Sequence, residues 1–312
     1  MTGQQTAQAL SLPRRLWIYQ AERFPLGKTA LLIAVFSAAG VSASAHFAGR
    51  GLPGWPSFAL AFAVTLGFFF HLRVFDEIKD AEDDAKYRPE RPIPRGLIRL
   101  RTVVMLGLLT VPMALAACWA IAPATLALLC ATWAWMVLMG FEFFVPRWLK
   151  AHPLTYMASH MAIMPLIDLF VTGVEWRPHG DAPPGLALFL ALSFVNGCIL
   201  EVGRKLWAPE NERAGVDSYS ALYGPRVAVT GWMACVVLAL ALLGGVGFAT
   251  GAPWPTLALG TLAALAVLRI GLGYRAAPTA VNQQRMDTAA GLWVFACYVA
   301  AGFAPLLGGM LG

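Results

Sequence analysis

Three aspartates stand four residues apart in one stretch of the sequence: Asp76, Asp80 and Asp84. Glu77 lies beside the first, and seven of the 17 acidic residues fall between Asp76 and Glu90. The apolar run before them ends without a Gly or Pro, so the helix is expected to continue into the acids. Four residues turn a helix by about 400°, so the three carboxylates drift by only ~40° per step and share one face. Like charges in such a row repel unless something neutralises them. A hard divalent cation such as Mg²⁺ does so through oxygen ligands, and commonly bridges carboxylates to substrate phosphates. The chemistry suggested is a metal–diphosphate site. The competing reading is a solvated acidic helix end paired with Lys79, Lys86 and Arg88. The place at the end of an apolar helix, with Arg91-Pro92-Ile93-Pro94-Arg95-Gly96 following, favours the first.

A second polar stretch runs from Asn196 to Ser220. Glu201 and Lys205 are four apart and can pair on one helix face. Arg204 and Lys205 are cationic donors suited to phosphate oxygens. Asn196 lies within an apolar run, where polar groups usually face a bundle interior. The alternative is a basic anchor with an internal salt bridge. Further polar residues in apolar surroundings are Glu142, expected to pair with Arg147; His160, a packing histidine or else a base or acceptor-binding group near a cavity mouth; and Asp168, for which the sequence names no partner.

The elements that must position these residues are membrane helices. Of 312 residues, 58% are hydrophobic and 13% charged, and the mean hydropathy is +0.64. Average globular domains sit near ~45–50% and ~25%. So few charges cannot cover a water-exposed surface of this size, which excludes a soluble enzyme and a disordered chain. The net charge of +6 does not indicate nucleic acid, because it is placed as a topology signal. About nine apolar runs approach the ~20 residues that span a bilayer: 28–48, 57–75, 102–121, 125–144, 155–173, 185–200, 227–250, 254–270 and 288–311. The sixth is short, and its helix is expected to continue into polar residues. With the N-terminus in the cytoplasm, 21 of the 23 Lys and Arg residues lie inside; Arg50 and Arg177 lie outside. The cytoplasmic loops after spans two and six are dense in charge, as if two polar faces met on one side. No run alternates with period two, so an all-α polytopic membrane protein of one unit, 1–312, is expected, with loops 76–101 and 201–226 carrying the site. The five cysteines all lie in apolar runs without a CxxC pair, so neither a disulfide framework nor a zinc site is indicated. The polar N-terminus shows no cleaved signal peptide pattern.

On these residues the chain resembles the UbiA superfamily of intramembrane prenyltransferases. That family has nine transmembrane helices around a central cavity and two aspartate-rich cytoplasmic motifs. Its first motif, Asn-Asp-x-x-Asp-x-x-x-Asp followed by Arg-Pro, is matched in spacing by Asp76-Glu77-x-x-Asp80-x-x-x-Asp84 and Arg91-Pro92. Its second, Asp-x-x-x-Asp before Gly-Val/Ile-x-Ser, keeps the tail as Gly215-Val216-Asp217-Ser218. Upstream, Glu201-x-x-x-Lys205 is the nearest equivalent, with a cation in place of one carboxylate and Glu210 or Glu212 as substitutes.

The resemblance implies Mg²⁺-dependent ionisation of an allylic isoprenyl diphosphate, with the prenyl group passed to a hydrophobic or lipid acceptor in the bilayer. It makes Asp76, Asp80, Asp84 and Glu201 the metal ligands and, with Arg204 and Lys205, the catalytic set. Arg23, Arg73, Lys79, Arg88, Arg147, Asn196 and His160 are then candidate substrate contacts. A carbocation needs a dry, aromatic cavity, for which Phe68, Phe69, Phe70, Trp133, Trp135, Phe141, Phe143 and Phe144 are candidates. The altered second motif keeps a terpene cyclase of the same scaffold as the alternative, and a transporter as a more distant one. The expected location is the cytoplasmic (inner) membrane, with the site facing the cytoplasm.

Overall fold

A computed structural model describes residues 10–213 and 215–311. Among these residues there are helices and no strands. In chain order they are α1 (Leu12–Arg23), α2 (Leu26–Phe47), α3 (Trp55–Lys79), α4 (Ala81–Tyr87), α5 (Leu100–Ile121), α6 (Leu126–Gly140), α7 (Pro146–Ala151), α8 (Pro153–Met161), α9 (Ile163–Trp176), α10 (Leu186–Arg204), α11 (Tyr219–Tyr223), α12 (Pro225–Ala249), α13 (Pro253–Ala276) and α14 (Ala280–Leu311). Nine candidate membrane spans result: α2, α3, α5, α6, α8 with α9, α10, α12, α13 and α14. The chain is an all-α polytopic membrane protein.

Two expected spans are longer than their apolar runs. The second reaches Lys79 and the sixth reaches Arg204, so the helices carry their polar ends out of the apolar zone as extra turns. The fifth is interrupted at Ala162. Pro165 explains the interruption, since it has no N–H for the Met161 carbonyl one turn back. His160 therefore sits at a break in a membrane helix.

Sequential helices pack side by side, and α14 returns against α2 to close the bundle. That closure is tight: a Cβ at Gly302 would lie 2.4 Å from the Ala39 Cα, so only glycine permits this crossing. Trp232, Trp293, Phe68, Phe170 and Phe189 fill the interior. Outside, Trp55 (78% exposed), Trp119 (72%) and Trp254 (77%) ring one end of the bundle. Exposed tryptophans at helix ends form the aromatic belt of a membrane interface. The opposite end carries loops 80–99 and 205–218, both charged.

Candidate active site

The acidic row survives folding although α3 formally ends at Lys79. Asp80 has φ −88° and ψ 5°, a small departure from helix. The four-residue hydrogen bonds run on through it: Asp80 N–H donates to the Asp76 carbonyl (2.9 Å), Asp84 to Asp80 (2.8 Å) and Arg88 to Asp84 (3.0 Å). The three carboxylates do not share one environment. Asp76 is 56% exposed and pairs with Arg73 at 3.3 Å. Asp80 is half-buried, and its carboxylate has no hydrogen bond or ion pair among the described residues. Burial, and then the charge of Asp84, push the Asp80 carboxyl above the usual carboxylate range.

Asp84 is buried and fully engaged. Arg88 donates to its Oδ1 at 3.1 Å, and Arg91 donates to both oxygens at 2.7 and 2.5 Å. Arg95 holds Glu22 on α1 at 2.7 Å, so the Arg-Pro-rich loop is pinned at two points. Glu77, which points to another side of α3, is buried and accepts from Arg23 Nε at 2.6 Å. Arg23 thus docks α1 on α3 and is occupied there.

Across from the row, α10 presents its last turn. Glu201 is buried and pairs with Arg204 and with Lys205 Nζ, the latter at 2.9 Å. The Arg204 side chain is still 59% exposed, and it and Asp76 lie close enough that each acts on the other's charge. Lys205 also lies over the Tyr219 ring, 5.9 Å from its centroid. The ends of α3 and α10 thus bring Asp76 and Arg204 near one another, with Asp80 one turn further along the acidic row and Lys205 next to Arg204. Asn196 sits two turns deeper, where its Oδ1 accepts from Trp293 at 3.1 Å and its Nδ2 is buried without a partner among the described residues.

Lys79 points elsewhere. It pairs with Glu142 Oε1 at 2.6 Å and contacts the Tyr156 hydroxyl. This corrects the expected Glu142–Arg147 pair. The backbone at Glu142, Phe143 and Phe144 has φ of 50°, 52° and 61°, a left-handed turn that swings Glu142 inward while Arg147 remains exposed on α7. The same turn leaves Phe141 and Phe144 exposed, stacked on each other at 5.8 Å, so these two line no cavity. Phe69 is the aromatic placed beneath Asp76. It lies seven residues earlier, close to the same helix face, and meets Phe36 at 6.1 Å, which meets Tyr298 at 4.5 Å. Phe68 packs on Trp133 and Phe170, Phe70 on Phe24, and Trp135 on Phe143.

Glu210 and Glu212 do not join the acidic row. Glu210 accepts from the Ala280 N–H, and Glu212 accepts from Ser218 and Ser220. They line a separate cleft of about 430 Å³ with Arg88, Arg91, Arg213 and Gln283. Gly215 packs against Tyr87 there, so the two charged loops do meet. Two buried acids had no partner legible in sequence. Asp168 accepts from the Tyr298 hydroxyl at 2.5 Å, and Glu175 is held by Arg50 at 2.7 and 2.9 Å and by Ser44 at 2.7 Å. A lone acid within an apolar run is the available signal for both.

The donor set suits a hard divalent cation. Asp76, paired with Arg73, and Asp80, without an ion pair among the described residues, supply carboxylate oxygens one helical turn apart, and Asp80 is a partly buried charge set against another carboxylate. Asp84 and Glu201 are already neutralised by arginine and lysine. Among the described residues no cluster of three or more His, Cys, Asp or Glu forms a self-contained metal cage.

The family model for the UbiA prenyltransferase family matches residues 33–295. No curated protein matches the chain. A solved structure from work on digeranylgeranylglyceryl phosphate synthase in membranes superimposes with a TM-score of 0.62. It covers 92% of this chain and 99% of the other at 18% identity, a likeness of fold. With nine spans and the paired polar loops at one end, the matched region takes in both α3 and α10, and the chain belongs to the UbiA prenyltransferase family.

Proposed function

We propose that this prenyltransferase is Mg²⁺-dependent and moves the prenyl group of an allylic isoprenyl diphosphate to a hydrophobic acceptor within the membrane. The observation that carries the reading is the pair of carboxylates Asp76 and Asp80 at the end of the bundle that also carries Arg204 and Lys205, with Asp80 free of any hydrogen bond or ion pair among the described residues. Mg²⁺, when bound, neutralises diphosphate oxygens and so makes diphosphate a competent leaving group. Asp76 and Asp80 would hold it. Arg204 and Lys205 donate to the remaining diphosphate oxygens, with Glu201 fixing their direction until substrate arrives. Arg73 lies beside Asp76 and adds a third cation. Asp84 supports the site by holding Arg88 and Arg91, and Lys79 by holding Glu142. Arg23 and Arg147 are not among the diphosphate contacts, the first being spent on Glu77 and the second facing outward.

In the reaction the C1–O bond of the allylic chain breaks, and its electron pair leaves with diphosphate. The acceptor forms the new bond to C1 and loses a proton. Phe69, Phe36 and Tyr298 give the allylic cation a water-poor aromatic wall beneath Asp76. Asn196 lies deeper on α10 than Glu201, buried against Trp293. The protein sits in the cytoplasmic membrane with its N-terminus and site inside, since 21 of 23 cationic residues fall on that side.

The test uses purified protein in detergent with geranyl, farnesyl or geranylgeranyl diphosphate, with and without lipid extract. Diphosphate release that needs Mg²⁺, stops with EDTA and falls about 10²-fold or more in Asp80→Asn is expected. A cyclised hydrocarbon formed without acceptor would replace the transferase reading by the cyclase one. No release under any condition from folded protein would sink both.

A further inference from the structure

The side of α3 turned away from the acidic row carries a groove that the diphosphate site does not use. Its walls include Phe75 and Ile78 of α3, Val104, Leu108 and Val111 of α5, and Val137 of α6, and its volume is about 340 Å³. His71 of α3 lies at its floor. Asp80 comes nine residues after His71, which turns the helix by about 900°, so the groove and the acidic row stand on opposite faces of α3. Ile78, Leu108 and Val137 are exposed. On a bundle that spans a membrane, such a groove opens to lipid rather than to the interior.

The two ends of the groove differ in chemistry. At the deep end Trp133 Nε1–H donates to His71 Nδ1 at 3.2 Å. An indole nitrogen only donates, so the imidazole lone pair is on Nδ1 and its proton on Nε2. Nε2 lies 3.1 Å from the Gly107 carbonyl oxygen and 2.7 Å from Thr110 Oγ1, and Thr110 donates to the same carbonyl at 2.8 Å. All three donors are spent within the protein, so a ligand gains no donor there and enters hydrocarbon first. The other end is cationic. Arg101 heads the stripe of α5 that continues as Val104, Leu108 and Val111, at steps of three and four. It is exposed and makes no ion pair among the described residues. Its side chain leans toward the helix N-terminus, out of the groove and toward the membrane surface. Arg147 and Lys150, on α7 just beyond the end of α6, are likewise exposed and without an ion pair among the described residues. From Arg101 to Val111 is about 15 Å along the helix, half of a hydrocarbon core ~30 Å thick. The groove therefore spans one leaflet, the one on the side of the charged loops.

We propose that this groove binds an anionic phospholipid of that leaflet, with one acyl chain lying between α3, α5 and α6 and the headgroup phosphate held by Arg101. Arg147 and Lys150 add to the positive charge at the same surface. The depth of the groove is that of an acyl chain. Its closed polar floor rejects a ligand with a polar far end. Its lining contains no acid, so the cation at its mouth favours a negative headgroup. The site is independent of prenyl transfer, since the carboxylates of that reaction lie across α3 from it.

The experiment is native mass spectrometry of full-length protein in detergent, titrated with dioleoylphosphatidylglycerol or dioleoylphosphatidylcholine. Wild type is expected to hold one phosphatidylglycerol, about tenfold or more tighter than phosphatidylcholine. Arg101→Gln should weaken that adduct about fivefold, the worth of one cation near a membrane surface. Leu108→Trp fills the groove and should remove the adduct. Leu109→Trp, exposed on the same helix but outside the groove, should keep it. Equal affinity of wild type for the two lipids overturns the proposal and needs no variant to fold. An adduct that survives Leu108→Trp, or that both tryptophan variants lose alike, overturns the placement, and one unchanged in Arg101→Gln overturns the headgroup contact. Displacement of phosphatidylglycerol by geranylgeranyl diphosphate with Mg²⁺ would put the lipid in the diphosphate site instead. A wild-type dimer that Leu108→Trp dissociates would make this face a contact between two copies of the chain, which also overturns the proposal.

Discussion

Asp76, Asp80 and Asp84 look equivalent in the sequence, yet folding gives them different work. Asp80 makes no ion pair among the described residues, whereas Asp84 is the buried anchor of two arginines. Substitutions should therefore separate them. Asp80→Asn removes a carboxylate that burial and Asp84 both disfavour, so the fold should lose nothing while diphosphate release collapses. Asp84→Asn leaves Arg88 and Arg91 without their shared anion. Breaking such a buried pair costs about 3–5 kcal/mol; with both arginines about a quarter exposed, a loss near 3 kcal/mol is expected. Thermal unfolding in detergent should thus show a lowered midpoint for Asp84→Asn and an unchanged or raised one for Asp80→Asn. Equal midpoints would mean that Asp84 is not the anchor. The four-residue spacing was legible because it is local. The division of labour was not, because Arg91 reaches Asp84 only after the chain has turned through Pro89.

At the scale of elements, the helices were legible and their breaks were not. Apolar runs alone place the spans, and the longer α3 and α10 follow from polar residues that continue a helix without a breaker. The break at Ala162 was written in Pro165, although the apolar pattern runs straight through it. The left-handed turn at 142–144 has no local signature, since none of its residues is Gly or Asn. It is imposed by long-range contacts: Phe143 against Trp135 and His160, and Glu142 against Lys79. Its two phenylalanines should consequently respond in opposite ways to glycine, which adopts this backbone without strain. Phe144 is 72% exposed and meets only Phe141, so Phe144→Gly should stabilise slightly, by about 0.5 kcal/mol once unfolded-state entropy offsets the relieved strain. Phe143→Gly loses two aromatic contacts and should destabilise by about 1–2 kcal/mol despite the same relief. Paired unfolding measurements check the signs; stabilisation by both would mean that the turn positions nothing.

At the scale of the whole molecule, charge defines an axis, and exposed tryptophans stand at both of its ends, Trp17 and Trp148 at the charged one. Exposed Trp55, Trp119 and Trp254 mark one end of the bundle, and the acidic row with its arginines and lysines marks the other. The two cations at the Trp55 end are structurally used, Arg50 by Glu175 and Arg177 by the Ala124 carbonyl at 3.1 Å. They are therefore poor topology signals, and the remaining 21 support the proposed orientation. Substrates of prenyl transfer fit this asymmetry, because a diphosphate head stays in water while its chain enters lipid. Labelling can test the orientation directly. The native cysteines lie within helices, three of them buried, and Cys130 faces the lipid side of α6, so a charged thiol reagent should leave them largely untouched. Cysteine introduced at Lys86, an exposed position in α4, should react in inside-out vesicles and be protected in intact cells. Cysteine at Asp181, exposed in the loop between α9 and α10, should show the reverse. The opposite labelling pattern would turn the molecule over and place the diphosphate site outside, where no cytoplasmic pool of isoprenyl diphosphate could reach it.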